Sequence, residues 1–267
     1  MPELPEMETY KSLLTQKIEG NKVTEVAINR EKSINVEPKV FKNIVQNQRI
    51  VAIERRAKYL LFHLENGSYL LLHLMLGGWM FYGTADEKPD RTIQVQLSFG
   101  DYHLYFIGLR LGYLHLFSAD EVKEELKDLG PEPLDVNFSL NSFLDLVKDR
   151  RGKVKTTLVD QEFLSGIGNR YSDEIAWYAQ LLPERKMNEL DNNEKVQLYQ
   201  SIRFVLQQAI QYGGYMDQPL FRGDSKTGGY NTYVYNREGE ACKRCGGTII
   251  KDEISSRKTF YCTECQR

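Results

Sequence analysis

Cys242-Lys243-Arg244-Cys245 and, sixteen residues later, Cys262-Thr263-Glu264-Cys265 contain every cysteine of the 267-residue chain. Two thiolates separated by two residues can chelate one ion from a tight turn, and two such turns complete a tetrahedron. Because this Gly-rich tail has almost no core of its own, the spacing predicts a hairpin that is folded by one Zn²⁺. Four thiolates leave no open coordination position, so the zinc is expected to be structural and not catalytic.

Upstream of the cysteines, the first half of the chain alternates short apolar runs with turn residues. Asn66-Gly67 and Gly100-Asp101 stand between runs, where hairpin turns belong. A helical stretch ends near Gly20, and the close spacing of the runs that follow predicts a sandwich or a barrel. The predicted strands are Val23–Ile28, Ile50–Ile53, Tyr59–Leu64, Tyr69–Leu74, Thr92–Phe99, Tyr102–Ile107 and Tyr113–Phe117.

The pattern becomes helical from Asp120 onward. Gly130-Pro131-Glu132-Pro133 indicates a linker, and the stretch Gly213–Tyr230 before the cysteines is rich in glycine. The predicted helices are Asp120–Leu129, Ser139–Asp149, Lys153–Val159, Asn169–Tyr178 and Asn192–Tyr212. The chain is therefore expected to join a β-rich N-terminal domain to a helical C-terminal domain, which is an α+β fold.

The net charge of −2, from 35 basic and 37 acidic side chains, does not by itself favour a nucleic-acid partner. The charge is unevenly divided, with a balance of −4 over residues 1–140 and +2 over residues 141–267. The longest apolar stretch, Tyr69–Met80, is too short to cross a bilayer. The acidic N-terminus does not resemble a secretion signal, so a cytoplasmic location is expected.

Pro2 would carry a secondary amine if Met1 were removed, and an α-amino group loses its proton at a much lower pH than a lysine. Such an amine can attack the sugar carbon of an aldehyde-like site and form an iminium. If a helix starts at Pro5, the carboxylates of Glu3 and Glu6 can point toward the amine. The alternative is that these acidic residues only favour the N-terminal end of a helix through its dipole.

Five motifs occur in a fixed order along the chain. They are Pro2-Glu3-Leu4-Pro5-Glu6, Arg56-Ala57-Lys58-Tyr59-Leu60-Leu61, Gly166-Ile167-Gly168-Asn169, Asp173-Glu174 and the hairpin that ends in Cys262-x2-Cys265-Gln266. Together they resemble the formamidopyrimidine-DNA glycosylase and endonuclease VIII family of base-excision repair. The resemblance spans the whole chain, and Leu4 favours the formamidopyrimidine branch.

The resemblance implies a β-sandwich catalytic domain flanked by helices over residues 1–130. It implies a helix-two-turns-helix DNA-binding domain over 131–230 and a zinc-finger hairpin over 231–267. The implied enzyme removes a damaged base from double-stranded DNA and then cleaves the abasic site by β,δ-elimination. It is expected to act as a monomer without contact with a membrane.

The resemblance also implies a role for individual residues. Pro2 would attack C1′ of the damaged nucleotide, Glu3 would protonate the sugar ring oxygen, and Glu6 would orient the site. The basic hairpin tip around Arg257, which alone would be read as a solvated turn, becomes a phosphate contact. The residues expected to contact DNA are Lys58, Leu76, Arg110, Asn169, Tyr235 and Arg257, and the zinc ligands are Cys242, Cys245, Cys262 and Cys265.

The chain departs from the family in the loops that fill the space left by the flipped base. Leu76 stands at the position of the usual Met, Leu109 replaces the Arg that reads the opposite base, and Leu111 replaces a Phe. Apolar wedges still unstack bases, but weak selectivity for the opposite base is expected. Alternatively, Leu109 and Leu111 are both buried strand residues. The lesion-recognition loop, Met216–Gly229, also differs from the usual sequence, so the preferred lesion stays open.

A second function is compatible with the same residues. The chain could bind distorted, abasic or bulky-lesion DNA with little or no catalysis. Retention of Met1 would remove the lyase activity, because the Pro2 nitrogen would then be an amide. Zinc-dependent hydrolysis is disfavoured, since four thiolates leave no position for water.

Overall fold

The computed structural model describes all 267 residues, and contacts along the chain divide them into two units. Unit 1 consists of Met1–Lys127 and Tyr212–Gly229, whereas unit 2 consists of Asp128–Gln211 and Tyr230–Arg267. Segment 212–229, which follows the longest helix, therefore belongs with the N-terminal part of the chain. The division into three functional domains at residues 130 and 230 stays a prediction.

Two four-stranded antiparallel sheets and three helices build unit 1. The sheet orders are β1-β6-β7-β5 and β2-β3-β4-β8. The elements are α1 (Leu4–Ile18), β1 (Glu25–Ile28), α2 (Pro38–Val45), β2 (Ile50–Arg56), β3 (Tyr59–Leu64), β4 (Tyr69–His73), β5 (Trp79–Thr84), β6 (Ile93–Phe99), β7 (Tyr102–Ile107), β8 (Tyr113–Phe117) and α3 (Ala119–Leu126).

The two sheets share one core, which confirms the β-sandwich. Leu60 and Phe62 of β3 belong to the same buried cluster as Leu104 and Phe106 of β7. Leu61, between the first two, points to the opposite face and packs with Val122 of α3. Side chains alternate between the two faces of a strand. When both faces are covered, successive residues are all apolar, and the sequence of the strand is a continuous apolar run.

The predicted turns Asn66-Gly67 and Gly100-Asp101 join β3 to β4 and β6 to β7. Helix α2 and strand β5 were not predicted. Helix α2 buries only Phe41 and Val45, which is too few residues for a clear helical period. The apolar run of β4 continues through residues 74–80 into β5, so composition alone gives no sign of the loop between them.

Unit 2 contains four helices and the C-terminal hairpin. The elements are α4 (Leu140–Val147), α5 (Val154–Leu158), α6 (Asn169–Tyr178), α7 (Asn192–Gln211), β9 (Ile249–Ile254) and β10 (Arg257–Cys262). The predicted helices, including α3 of unit 1, therefore form, with ends that differ from the predicted ones by at most three residues. None of the helices in either unit combines the length and the apolar character needed to span a bilayer.

Candidate functional site

The N-terminus of α1 brings two carboxylates beside Pro2. Glu3 caps the helix and Pro5 stands in its first turn, where a missing N–H costs nothing. The Glu3 N–H donates to Glu6 Oε2 at 2.8 Å. Glu3 and Glu6 are only 3% and 2% exposed, which is unusual for carboxylates at the start of a helix. The predicted proximity of Pro2, Glu3 and Glu6 is thus present in unit 1.

Segment 212–229 reaches the same carboxylate. Tyr215 N–H donates to Glu6 Oε1 at 3.0 Å, and the Tyr215 hydroxyl donates to the Met1 carbonyl oxygen at 2.8 Å. Gly214 has a φ of 71°, and a Cβ there would lie 2.3 Å from Glu6 Oε1. Sequence reasoning missed Tyr215. The available signal was the pair Gly213-Gly214 directly after a helix, which indicates left-handed backbone.

Lys58 lies in the two-residue turn between β2 and β3, as predicted. Ala57 has a φ of 54°, a left-handed conformation that is strained for any residue with a Cβ. Arg55 holds this turn, since its Nη1 donates to the Ala57 carbonyl at 3.1 Å and its Nε donates to Glu8 Oε2 at 2.6 Å. Burial acts to raise the pKa of Glu8, but the hydrogen bonds from Lys11 and Arg55 outweigh it and hold the pKa below its ordinary value. Arg55 therefore ties the Lys58 turn to helix α1.

His73, at the end of β4, lies near Lys58 and was not predicted as a site residue. Burial, and then the charge of Lys58, lower the pKa of His73 to about 4. Its Nδ1 accepts the Met75 N–H at 3.0 Å, and its ring packs against Tyr59 with 4.6 Å between centroids. The imidazole is consequently neutral at pH 7, with its proton on Nε2.

The loops β4–β5 and β7–β8 pack against each other through glycine backbone. A Cβ on Gly108 would lie 2.2 Å from the Gly77 carbonyl oxygen, and one on Gly112 would lie 2.5 Å from the His73 carbonyl oxygen. Leu76 and Leu111 are exposed by 67% and 63%. Two large apolar side chains therefore project from a rigid pair of loops.

Leu109 and Leu111 both lie between β7 and β8, and only Leu109 is buried. The interpretation of both as buried strand residues is therefore wrong. Leu109 is 0% exposed and belongs to the core of the sandwich. Its N–H donates to Gln94 Oε1 at 3.1 Å, and its carbonyl accepts the Ser33 hydroxyl at 3.3 Å. Arg110, the next residue, is exposed and available to phosphate.

In unit 2, Asn169 is the first residue of α6 and follows a tightly braced loop. The Gln161 side chain donates to the Ile167 carbonyl at 2.7 Å and accepts the Gly166 N–H at 3.0 Å. Lys155 is fully buried, and its Nζ donates to the Asn169 carbonyl at 2.7 Å and to Asp173 Oδ1 at 2.6 Å. The dipole of α6 favours an anion at its N-terminal end, beside Asn169.

Asp173 and Glu174 fasten the C-terminal region of unit 2 to α6. Asp173 Oδ2 accepts the Phe260 N–H of β10 at 2.9 Å, and burial raises the pKa of Asp173 to about 7 although Lys155 lowers it. The Glu174 carboxylate accepts the N–H groups of Tyr233, Val234 and Tyr235 at 2.7, 3.0 and 2.9 Å. Both carboxylates are buried, and they hold β10 and the segment before the cysteines against α6.

Tyr235 is held between two groups of unit 2. Its ring lies 5.0 Å from that of Phe260, and the Arg170 guanidinium lies 4.5 Å from its centroid. Arg257 is the first residue of β10 and is exposed, directly after Ser255 and Ser256 with φ of 50° and 60°. Two successive left-handed residues make the tight turn that presents Arg257 at the hairpin tip.

The four cysteines fit one zinc ion. Their Sγ atoms all lie within 4.8 Å of one another, with 3.7 Å between Cys242 and Cys265 and 3.5 Å between Cys245 and Cys262. A tetrahedral site with Zn–S bonds of about 2.3 Å requires about 3.8 Å between sulfurs. The Trp177 indole N–H donates to Cys242 Sγ at 3.3 Å, which stabilises a thiolate. The ion would be closed to water and would hold the Arg257 tip in shape.

Three family descriptions cover most of the chain. Residues 1–113 match the formamidopyrimidine-DNA glycosylase N-terminal domain, and residues 129–218 match the helix-two-turns-helix domain of the same glycosylase. Residues 239–267 match a zinc finger found in FPG and IleRS.

Full-length relatives agree with this assignment. The formamidopyrimidine-DNA glycosylase of Pelotomaculum thermopropionicum is 35% identical over 274 residues, covering 100% of this chain and 99% of the relative. The corresponding protein of Herpetosiphon aurantiacus is 34% identical, with 100% of both chains covered.

Solved structures of Lactococcus lactis FPG have the same fold. A mutant bound to DNA that contains Fapy-dG superposes with a TM-score of 0.92 at 30% identity, covering 100% of both chains. A complex with DNA that contains an abasic site also has a TM-score of 0.92 at 30% identity, covering 99% of both chains.

Proposed function

Since this chain belongs to the formamidopyrimidine-DNA glycosylase family of base-excision repair, we propose that it removes a damaged base from double-stranded DNA and cleaves the abasic site with the Pro2 amine. The observation that carries the proposal is the pair of buried carboxylates directly after Pro2. Glu6 binds the Glu3 N–H and so fixes the first turn of α1 around the amine. Two nearly buried carboxylates cost folding free energy, which chemistry at this position explains.

The reaction begins when the nitrogen lone pair of Pro2 forms a bond to C1′ of the flipped nucleotide. The bond from C1′ to the base breaks, and its electron pair leaves with the base, which takes up a proton. The Pro2 nitrogen, which becomes an ammonium when it bonds to C1′, loses its proton. The C1′–O4′ bond then breaks, O4′ receives a proton from Glu3, and the restored nitrogen lone pair forms the iminium. The iminium accepts electrons as the C2′ proton is lost, and the 3′ phosphate leaves with the electron pair of its bond to C3′. Loss of the C4′ proton then lets the 5′ phosphate leave with the electron pair of its bond to C5′.

Contacts to the DNA backbone are proposed for residues of both units. Lys58, with neutral His73 as a donor nearby, would bind phosphate beside the flipped nucleotide. Asn169, Tyr235 and Arg257 of unit 2 would bind the backbone, which positions the duplex without reading its sequence. Zinc supplies no chemistry here, since it would hold only the hairpin that carries Arg257.

The flipped base leaves a space in the stack, and Leu76 and Leu111 are proposed to fill it. Exposed apolar side chains on a rigid loop are suited to unstacking a base pair. Because Leu109 is buried, no side chain at its position reads the opposite base. Weak selectivity for the opposite base is the expected consequence. Lesions of the Fapy-dG class, found in the DNA bound to the Lactococcus protein, are proposed as substrates.

The protein is proposed to act as a monomer in the cytoplasm, where bacterial relatives would meet the chromosome. The amine exists only after removal of Met1, because an amide nitrogen is not a nucleophile. Mass spectrometry of the intact chain is therefore the first measurement.

Borohydride trapping of a covalent adduct with duplexes that contain Fapy-dG, 8-oxoguanine, oxidised pyrimidines or an abasic site tests the proposal. Each lesion is placed opposite all four bases. Pro2→Gly should abolish the adduct, and Glu3→Gln should slow its formation by at least about 100-fold, the usual size of general acid catalysis. Tight binding of abasic DNA by the processed chain without any adduct would favour a non-catalytic binder. A strong preference for 8-oxoguanine opposite cytosine would contradict the role given to Leu109.

A further inference from the structure

The Met1 carbonyl in this structure stands where the substrate sugar would be attached. Its carbon is bonded to the Pro2 nitrogen, which is the bond that C1′ makes in the covalent intermediate of the proposed reaction. Its oxygen therefore occupies one of the places open to a substituent of C1′. The one oxygen among the ring substituents of C1′ is the sugar ring oxygen, O4′.

The Tyr215 hydroxyl donates to this carbonyl oxygen at 2.8 Å. A phenol is a hydrogen-bond donor at neutral pH, and O4′ is an acceptor. The same hydroxyl can therefore donate to O4′ once C1′ has replaced the Met1 carbon on the Pro2 nitrogen.

The position of Tyr215 is fixed by its own backbone. Its N–H donates to Glu6 Oε1 at 3.0 Å, and the other oxygen of Glu6 accepts the Glu3 N–H at 2.8 Å. Gly213 has a φ of 73°, and a Cβ there would lie 1.5 Å from the Lys226 carbonyl oxygen. Tyr215 and the start of α1 are thus held on one carboxylate.

The far side of the segment is equally well fastened. Leu220 is buried in the sandwich core, and its carbonyl accepts the Tyr82 N–H of β5 at 2.6 Å. The Asp224 carboxylate accepts the N–H groups of Leu220 and Lys226, both at 2.9 Å. A hydroxyl carried by such a segment can meet a reacting atom without a large loss of conformational entropy.

We propose that Tyr215 is a further catalytic residue, whose hydroxyl donates a hydrogen bond to O4′ in the covalent intermediate. The inference rests on the proposed function of Pro2. Glu3 delivers the proton as the C1′–O4′ bond breaks, and Tyr215 keeps its own proton while it stabilises the negative charge that develops on O4′. Donors aimed at a developing oxyanion act mainly on the rate and little on substrate affinity.

The experiment compares chains from which Met1 has been removed, with wild type, Tyr215→Phe and Tyr212→Phe. Tyr212 belongs to the same segment and is 52% exposed, so its hydroxyl serves as the matched control. Single-turnover formation of the borohydride-trapped adduct is measured with abasic-site DNA at saturating protein. The Kd for DNA with a tetrahydrofuran site, which the amine cannot attack, is measured in parallel.

Tyr215→Phe should slow adduct formation about tenfold, the value of one hydrogen bond, and change the Kd by less than about twofold. Tyr212→Phe should match wild type in both the rate of adduct formation and the Kd. An unchanged rate in Tyr215→Phe, or a rate and a Kd that change together, would overturn the inference while leaving the proposed function intact. Absence of an adduct with wild type would instead overturn the proposed function and this inference with it.

Discussion

Both oxygens of the Glu6 carboxylate are engaged, one by the Glu3 amide and the other by the Tyr215 amide. This arrangement lets one side chain fix the direction of α1 and the position of segment 212–229. It also requires glycine at position 214, where the backbone is left-handed and passes against the carboxylate. The Glu6 carboxylate therefore holds the proposed nucleophile, Pro2, and its proposed hydrogen-bond donor, Tyr215, in one geometry.

Gly214→Ala should destabilise the protein by about 3 kcal/mol or more, because the left-handed backbone costs about 1–2 kcal/mol and the new Cβ displaces Glu6. Gly223→Ala is the matched control, since Gly223 has a φ of 85° but nothing within 4 Å of its added Cβ. It should cost only the backbone term of about 1–2 kcal/mol. Urea unfolding measures the stability of both variants. Equal losses of unfolding free energy would show that the Glu6 side chain moves away from the new Cβ at little cost.

His73 should make the protein less stable in acid. Its folded pKa of about 4 lies below the ordinary 6.5, so the unfolded chain binds more protons between these values. This contribution to stability is complete above about pH 6.5 and is lost as the pH falls toward 4. Between pH 7 and pH 5 the loss should be about 2 kcal/mol.

Urea unfolding of wild type and His73→Gln at several pH values measures this contribution. The difference in unfolding free energy between the two proteins should shrink by that amount on acidification. A difference that is independent of pH would mean that folding leaves the pKa of His73 unchanged.

At the scale of elements, the loops β4–β5 and β7–β8 form one rigid support because glycine lets their backbones touch. Gly108 and Gly112 approach the facing loop so closely that no side chain fits between them. The support buries Leu109 and leaves Leu111 in solvent, although the two leucines are only two residues apart. The exposed leucine costs little in the free protein and is available to DNA.

Leu111→Ala should change the unfolding free energy by less than about 0.5 kcal/mol, because the side chain is mostly exposed. It should weaken binding of abasic-site DNA about tenfold if the side chain fills the space in the stack. Leu109→Ala should instead cost about 2–5 kcal/mol of stability through a cavity in the core. Thermal unfolding measures the effect on stability, and a DNA titration measures the effect on binding. Unchanged DNA binding by Leu111→Ala would show that Leu111 does not fill the space in the stack.

At the scale of the whole molecule, a net charge of −2 is unusual for a protein that binds DNA, which is a polyanion. Four thiolates with one Zn²⁺ make the folded chain more acidic still. The cations that would face DNA are therefore few and individually placed, among them Lys58, Arg110 and Arg257. Low overall charge should limit binding of undamaged DNA.

Binding of lesion-containing DNA should consequently depend only moderately on salt. With about four phosphates neutralised, the slope of log Kobs against log salt should be about −3 to −4. Titrations between low and moderate salt measure it, and Arg257→Ala should lower its magnitude by about 1. A slope of about −8 or steeper would show that many more cations take part.

The zinc site and the Pro2-Glu3-Glu6 motif were predictable because both are local. Their residues are close in sequence, so spacing alone restricts the geometry, whether of a metal tetrahedron or of the first turn of a helix. The positions of strands and helices were also predictable, because local residue patterns determine them. The exceptions are elements such as α2, which is too short to show a helical period. Burial of Leu109 beside exposed Leu111 could not be read from alternation, because neither lies in a strand.

The sequence by itself determined the family and the zinc ligands, and it predicts Pro2 as the nucleophile, since each depends on residue types at short spacing. Only the tertiary structure decided that the Tyr215 hydroxyl lies against the Met1 carbonyl, although Tyr215 follows Met1 by 214 positions in the chain. That contact depends on two left-handed glycines, one shared carboxylate and a leucine buried in the sandwich. Local sequence propensity does not predict this contact, because the free energy that stabilises the contact comes from packing between segments that are far apart in the chain.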